Sequence, residues 1–120
     1  MRSIFKSLKF AFRGISYTFT SQRNMRIHVI VAVLAAILGF VLRLEPLEWT
    51  VLIIMIALVF SFECLNTALE AVVDKASPEQ HPLARIAKDT AAGAVLIMAL
   101  ASVIVGTIIY VTALLRMMGL

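Results

Sequence analysis

Four polar side chains recur at helical spacing in the middle of the sequence: Glu63, Asn66, Glu70 and Asp74. Steps of three, four and four residues place them on one face of a helix, within an arc of about 80°. Carboxylates and an amide that converge in this way suit a general base beside a metal ligand. The alternative is a polar helix face that holds a bundle together or pairs with nearby lysines.

A second cluster lies further along the chain, where Arg85, Lys88 and Asp89 stand at positions i, i+3 and i+4. One interpretation is a phosphate contact by Lys88, oriented by Asp89, and the other is a basic anchor at a helix end. The sequence has neither a G-x-x-x-x-G-K-[ST] loop nor a G-x-G-x-x-G loop. A nucleotide site would therefore need a carboxylate-held metal and cationic side chains.

The composition indicates that these residues work in lipid rather than in water. The chain has 120 residues, of which 62% are apolar and 15% are charged, against about 45–50% and about 25% in soluble domains. A short soluble chain cannot bury so much apolar surface, and disordered chains are poor in apolar residues. The single cysteine, Cys64, excludes a disulfide framework and a multi-cysteine metal site.

Three apolar stretches are long enough to predict membrane-spanning helices, which need about 20 residues each. We place them at about 27–44, 49–73 and 90–115, and so predict an all-α membrane protein. The loop between the second and third spans contains Ser77-Pro78-Glu79-Gln80. That tetrapeptide fits a helix N-cap followed by proline, and it predicts a short helix starting there.

The N-terminal stretch, about 3–21, predicts a separate amphipathic helix. Its apolar stripe consists of Phe5, Leu8, Phe12, Ile15 and Phe19, and its basic stripe of Arg2, Lys6, Lys9 and Arg13. An aromatic stripe beside a basic one is typical of a helix in the membrane interface. The alternative is a helix packed against the membrane bundle with a solvated basic edge.

The basic residues also predict the orientation of the chain. With three spans, the N-terminus and the second loop share one side of the membrane, which holds nine of the eleven lysines and arginines. By the positive-inside rule this side is cytoplasmic. We therefore predict a multi-pass membrane protein with a cytoplasmic N-terminus. The net charge of +4 is a topology signal and does not indicate a nucleic-acid partner.

The residues from Glu63 to Asp74 resemble the E-x-x-N-[ST]-A-[IL]-E-x-x-x-D signature of the prokaryotic diacylglycerol kinases. Ala87-Lys88-Asp89, followed by Ala94-Val95-Leu96-Ile97, resembles a second stretch of the same family. The resemblance extends over essentially the whole chain. It implies a homotrimeric bundle with an interfacial helix, and a kinase that transfers the γ-phosphate of Mg-ATP to a membrane lipid alcohol.

The resemblance also implies a role for each matching residue. Glu63 is then the catalytic base that takes the lipid hydroxyl proton, and Asn66 helps to place that base and the phosphate. Glu70 holds the Mg²⁺ that bridges the ATP phosphates. Lys88 and Asp89 contact the nucleotide, Lys88 at its phosphates.

The cytoplasmic loop of the family meets the nucleotide where this chain has Glu79, Gln80 and His81, and Asp74 organises the site from the side nearer water. The chain departs from the family at Gln22, because the family has a second metal-binding glutamate there. An amide oxygen ligates Mg²⁺ without adding charge. Glu70 and ATP can suffice, or the metal is bound more weakly, or the chain is an inactive membrane interaction protein.

The substrate prediction rests on two short segments. The Asn24-x-Arg26-x-His28 pattern and His81-Pro82-Leu83-Ala84 look more like undecaprenol kinases than like diacylglycerol kinases. Undecaprenol is therefore the expected lipid and diacylglycerol the alternative, since both carry their hydroxyl at the level of the head groups. A third possibility is a small transporter with Glu63 as a proton relay. It predicts carboxylates near the bilayer centre, whereas these lie at one end of a span.

Overall fold

The computed structural model describes residues 3–120 as four α-helices: α1 (Ile4–Ser21), α2 (Arg23–Val41), α3 (Pro46–Ala76) and α4 (Pro82–Met117). The all-α prediction is confirmed. The last three helices are long and apolar enough to cross a membrane by length and composition, and they correspond to the three predicted spans. Arg2 of the predicted basic stripe lies outside the described residues.

The first helix covers the segment predicted from the two stripes. The Ser3 side chain accepts a hydrogen bond from the backbone N–H of Lys6 and caps its first turn. Within α1 only Thr18 is buried, so its aromatic side chains remain available to lipid or to a partner chain. The position of α1 in the membrane interface stays a prediction.

The turn from α2 to α3 lies three residues earlier in the sequence than predicted. We expected the first span to continue to about 44, but α2 ends at Val41 because Arg43 adopts a left-handed conformation with φ 55°. The next helix begins at Pro46, preceded by a capping box in which Glu45 and Glu48 satisfy each other's backbone N–H groups. The first residue of a helix has no partner for its backbone N–H, so the missing N–H of Pro46 costs nothing there, and its fixed φ favours the start of the helix at this residue.

The loop before α4 corrects a second expectation. No helix starts at Pro78 with Ser77 as its cap; residues 77–81 form a turn in which Gln80 has φ 60°. Instead α4 begins at Pro82, capped by His81, whose Nδ1 accepts the backbone N–H of Leu83 over 3.1 Å. The helix that contains the third span therefore begins eight residues before residue 90, the predicted start of the span. Lys88 and Asp89 belong to this helix.

α3 and α4 form the main helix pair, and α2 contacts α3 over a shorter length. At the α2–α3 turn the guanidinium of Arg116 makes a two-pronged contact with Glu48, with N–O distances of 2.8 and 2.9 Å. Near this end Leu44, Leu52, Ile109 and Ala113 form a buried cluster. The polar residues of α3 lie toward the other end of the bundle, next to the α3–α4 loop.

Candidate functional site

Glu63 is the most deeply buried charged residue of the described chain, with 1% of its surface exposed. It lies on α3 and faces His28 of α2, with His28 Nε2 3.1 Å from Glu63 Oε1. A buried carboxylate is costly unless it is hydrogen-bonded or paired. When the carboxylate is ionised it has no hydrogen to donate, and the donor in this contact is then His28 Nε2.

Asn66 lies one helical turn beyond Glu63 and is also buried. Its amide nitrogen donates to Glu70 Oε1 over 3.3 Å, whereas its Oδ1 atom is buried and has no hydrogen-bond partner among residues 3–120. Buried acceptors without partners are rare in folded proteins and indicate an absent ligand or water. The Oδ1 atom is therefore an acceptor available to a substrate or an ion.

These side chains line a cavity of about 250 Å³ between α2, α3 and α4. Its wall consists of Asn24, Ile27, His28, Glu63, Asn66, Ala92, Val95, Leu96 and Ala99. The cavity shares Ile27, His28 and Ala99 with a larger apolar cleft of about 610 Å³. That cleft extends along the same three helices to Tyr110, whose hydroxyl donates to the Ala35 carbonyl over 2.7 Å. A polar cavity and an apolar cleft thus meet at His28.

Glu70 faces the junction of α1 and α2 rather than the cavity wall. Its Oε2 atom accepts a hydrogen bond from Gln22 Nε2 over 3.0 Å, and its Oε1 atom accepts from Asn66. The structure therefore brings Gln22, the residue that departs from the family pattern, to the side chain with which it was expected to share a metal.

The donor set around Glu70 can be compared with the preferences of Mg²⁺. No group of three or more His, Cys, Asp or Glu side chains within residues 3–120 is arranged to hold a metal ion. Mg²⁺ is often bound by only one or two carboxylates together with substrate phosphates and water. The Glu70 carboxylate fits such a partly protein-built site. Gln22 and Asn66 turn their amide nitrogens to it, so their oxygens could join in holding the ion only after the amides rotate.

A third cavity, which we call the polar cleft, lies beyond Glu70 at the loop end of α3 and α4. It has a volume of about 470 Å³ and is lined by Val73, Asp74, Ser77, Pro78, Gln80, Ala84, Arg85, Lys88 and Asp89. Within it the Lys88 ammonium pairs with the Asp74 carboxylate. The cleft is wide and carries charges of both signs, which suits a polar, phosphate-bearing ligand.

Most residues of the predicted site therefore fall into two groups. Glu63 and Asn66 line the inner cavity, whereas Gln80, Lys88 and Asp89 line the polar cleft with Asp74. Glu79 and His81 do not line either cavity. Glu79 is exposed, and His81 caps α4 through Nδ1. Their predicted nucleotide contacts stay predictions, and the capping bond gives His81 a role in the fold.

Sequence reasoning did not assign His28 to the site. Its position in the first turns of an apolar span was a local signal, because an imidazole in a membrane helix usually faces a partner. The Asn24-x-Arg26-x-His28 pattern also contained it but was applied only to the choice of lipid. The identity of that partner depends on how α2 packs against α3. Spacing within one helix does not contain that information.

Comparison with known protein sequences places this chain in one family. Residues 9–110 match the sequence profile described as "Prokaryotic diacylglycerol kinase". The chain belongs to this family and is therefore a membrane enzyme of the lipid kinase class. This membership favours a kinase over the transporter and the inactive interaction protein.

Individual relatives differ in the lipid that their names state. The chain is 42% identical over 110 residues to "Undecaprenol kinase" of Bacillus subtilis, covering 92% of this chain and 89% of the relative. It is 46% identical over 113 residues to "Diacylglycerol kinase" of Synechocystis, covering 93% of this chain but 65% of that longer protein. "Diacylglycerol kinase" of Escherichia coli K12 is 32% identical over 101 residues, which cover 84% and 83% of the two chains.

Proposed function

We propose that this chain transfers the γ-phosphate of Mg-ATP to undecaprenol at the cytoplasmic surface of a bacterial inner membrane. The observation that carries this proposal is the buried Glu63, which opens on a cavity continuous with an apolar cleft. A lipid alcohol needs both surroundings, because its hydroxyl must reach a base while its hydrocarbon tail stays in an apolar environment. The polar cleft with Lys88 provides for the second substrate on the side nearer water.

In the proposed reaction the carboxylate of Glu63 accepts the proton of the lipid hydroxyl. The lipid oxygen then forms a bond to the γ-phosphorus, and the bond between that phosphorus and the β–γ bridging oxygen breaks, so that ADP leaves with the electron pair. Phosphoryl transfer depends mainly on positioning and on stabilisation of charge. The unpartnered Asn66 Oδ1 lies on the same cavity wall as Glu63 and can position a group that binds there.

The proposed nucleotide site uses the residues of the polar cleft. Lys88 binds the phosphates as a point charge, and Gln80 and Asp89 contact the rest of the nucleotide. Glu70, with Gln22 and Asn66, would hold the Mg²⁺. When bound, this ion neutralises negative charge on the phosphates.

Undecaprenol is favoured over diacylglycerol by the combination of identity and coverage. The Bacillus undecaprenol kinase is matched over nearly its full length, whereas the Synechocystis diacylglycerol kinase extends beyond the matched part. Diacylglycerol is the second candidate, because several relatives carry that name. The proposal includes a homotrimer, as the family resemblance implies, with α1 in the membrane interface, where its exposed aromatic side chains would meet lipid.

The test is a side-by-side assay of the purified protein in detergent with Mg²⁺ and ATP. Undecaprenol and diacylglycerol are offered separately, and the phosphorylated lipid is measured rather than ADP alone. We expect a higher kcat/KM for undecaprenol. A higher value for diacylglycerol would establish the second candidate, and the absence of product with both lipids would contradict the proposed activity.

A further inference from the structure

We propose that His28 is a positioning residue for Glu63, holding one carboxylate oxygen so that the other faces the cavity. The inference rests on the proposed function, since it concerns the base of that reaction. His28 is separated from Glu63 by 35 positions in the sequence and lies on a different helix. The packing of α2 on α3 brings the two side chains together.

The contact is specific to one oxygen of the carboxylate. His28 Nε2 lies 3.1 Å from Oε1, and no other side chain of residues 3–120 is hydrogen-bonded to the Glu63 carboxylate. The terminal torsion of a glutamate has a broad energy minimum and is fixed only by its partners. Anchoring Oε1 therefore leaves Oε2 as the oxygen that a hydroxyl in the cavity can reach.

The surroundings leave His28 as the polar group best placed for this task. The other residues of the cavity wall are Asn24, Asn66 and apolar side chains, and the Asn66 amide nitrogen already donates to Glu70. His28 has 20% of its side chain exposed, against 1% for Glu63. The imidazole thus contacts the carboxylate from the α2 side, where the cavity and the apolar cleft meet.

The chemistry of the step keeps the contact intact. An ionised Glu63 accepts the hydrogen of His28 Nε2 at Oε1. When Oε2 takes the proton of the lipid hydroxyl, Oε1 becomes a carbonyl oxygen and still accepts the same hydrogen bond. His28 neither gains nor loses a proton in this sequence, so it acts through Glu63 and does not touch the reacting atoms.

The kinetic test compares His28→Ala, His28→Gln and a control, Ile30→Ala, which removes an exposed side chain from α2. Misplacement of a reacting group by about 1 Å can cost about 100-fold. We therefore expect His28→Ala to lower kcat about 10- to 100-fold while the KM for ATP stays within twofold. The glutamine amide can donate from a similar place, so His28→Gln should recover at least part of the loss. Ile30→Ala should match the parent.

A double-variant cycle separates positioning from a general effect on the fold. In a Glu63→Gln background, His28→Ala should cause little further loss, because the base that it positions is already absent. A second full loss in that background would show that His28 acts independently of Glu63, and would overturn the inference.

A spectroscopic measurement does not depend on turnover. The chain has two histidines, so ¹⁵N imidazole spectra are simple, and a His81→Asn variant assigns them. We expect His28 to carry its hydrogen on Nε2 in the parent and to lose this preference in Glu63→Leu.

The outcomes distinguish the inference from the proposed function. A kcat for His28→Ala within twofold of the parent, with Glu63→Gln impaired, would overturn the inference and leave the function intact. A parent protein that phosphorylates neither lipid would contradict the function itself. If His28→Ala does not fold, the glutamine variant and the imidazole spectra decide the question.

Discussion

The side-chain amide of Gln22 donates a hydrogen bond from Nε2 to Glu70 Oε2 over 3.0 Å, and so joins the α1–α2 junction to α3. A glutamate at position 22 could not make this bond, because two carboxylates at that distance repel each other. The amide therefore stabilises the metal-free arrangement, at the expense of one negative charge in the proposed metal site.

Replacing Gln22 with glutamate should strengthen the proposed Mg²⁺ site. Two opposite unit charges about 4 Å apart attract each other by roughly 4 kcal/mol at an effective dielectric constant of 20. Desolvation of the added carboxylate and its repulsion by the ATP phosphates offset much of this attraction to Mg²⁺. We expect Gln22→Glu to lower the Mg²⁺ concentration for half-maximal activity about tenfold or more. Ser21→Glu, which adds the same charge one residue away, is the matched control. Identical Mg²⁺ titrations for parent and Gln22→Glu would remove Gln22 from the metal site.

Glu63→Gln should lower turnover while nucleotide binding is largely retained. General-base assistance contributes about 10²- to 10⁴-fold to rate, and glutamine is nearly isosteric with glutamate but cannot accept the proton. Glu63 does not line the polar cleft proposed for ATP. The effect should therefore appear in kcat for the lipid, measured at saturating ATP, and not in the KM for ATP. Near-normal turnover of the variant would exclude Glu63 as the base.

Lys88→Met should weaken ATP binding more than it slows the chemical step. A hydrogen bond to a charged group contributes about 1.5–3 kcal/mol, so the KM for ATP should rise about tenfold or more. Asp74 then loses its partner, but that carboxylate is 64% exposed, so the cost in stability should be small. Lys75→Met removes the same charge from an exposed position nearby. Equal KM values for the two variants would contradict a phosphate contact by Lys88.

Gly39→Ala should lower stability without changing the kinetics. A Cβ atom at Gly39 would lie 2.7 Å from the Trp49 ring and 3.0 Å from Leu44, and overpacking of this kind costs about 1–3 kcal/mol. Gly14→Ala is the control, because a Cβ atom there meets nothing within 4 Å. Thermal inactivation in one detergent should show a lower midpoint for Gly39→Ala alone. An unchanged midpoint for that variant would mean that the Trp49 ring moves without cost.

The topology can be tested directly. Nine of the eleven basic residues lie on the side of the N-terminus and the α3–α4 loop, which predicts a cytoplasmic N-terminus and a C-terminus across the membrane. A reporter fused after Leu120 should therefore be active only if it functions outside the cytoplasm. Activity of a reporter that requires the cytoplasm would reverse the orientation.

The helices were predictable because each membrane span is a run of apolar residues, but their ends were not. The turn before α3 depends on the left-handed backbone at Arg43, and the turn before α4 depends on the same conformation at Gln80. Neither residue type requires that conformation. The start of α4 at Pro82 agrees with the preference of proline for a first helical turn. Pro78 carries the same sequence signal but lies in the turn before the helix.

For the candidate site, the spacing of polar residues along α3 predicted their common face but not their partners. Glu63 meets His28 of α2, Glu70 meets Gln22 at the α1–α2 junction, and Asp74 meets Lys88 of α4. Each of these contacts joins different helices. They depend on the distances and rotations between helices, which the periodicity of a single helix does not specify.

The three spanning helices differ greatly in length. With a rise of 1.5 Å per residue, the 19 residues of α2 measure about 28 Å, close to the roughly 30 Å of a hydrocarbon core. The 31 residues of α3 and the 36 of α4 extend well beyond it, to about 46 and 54 Å. Glu63 of α3 contacts His28 near the start of this short helix, so the positions of α2 and α3 in the bilayer are linked at this point. We therefore expect turnover to depend on bilayer thickness, because a thicker or thinner hydrocarbon core would shift or tilt α2 and move His28 relative to Glu63.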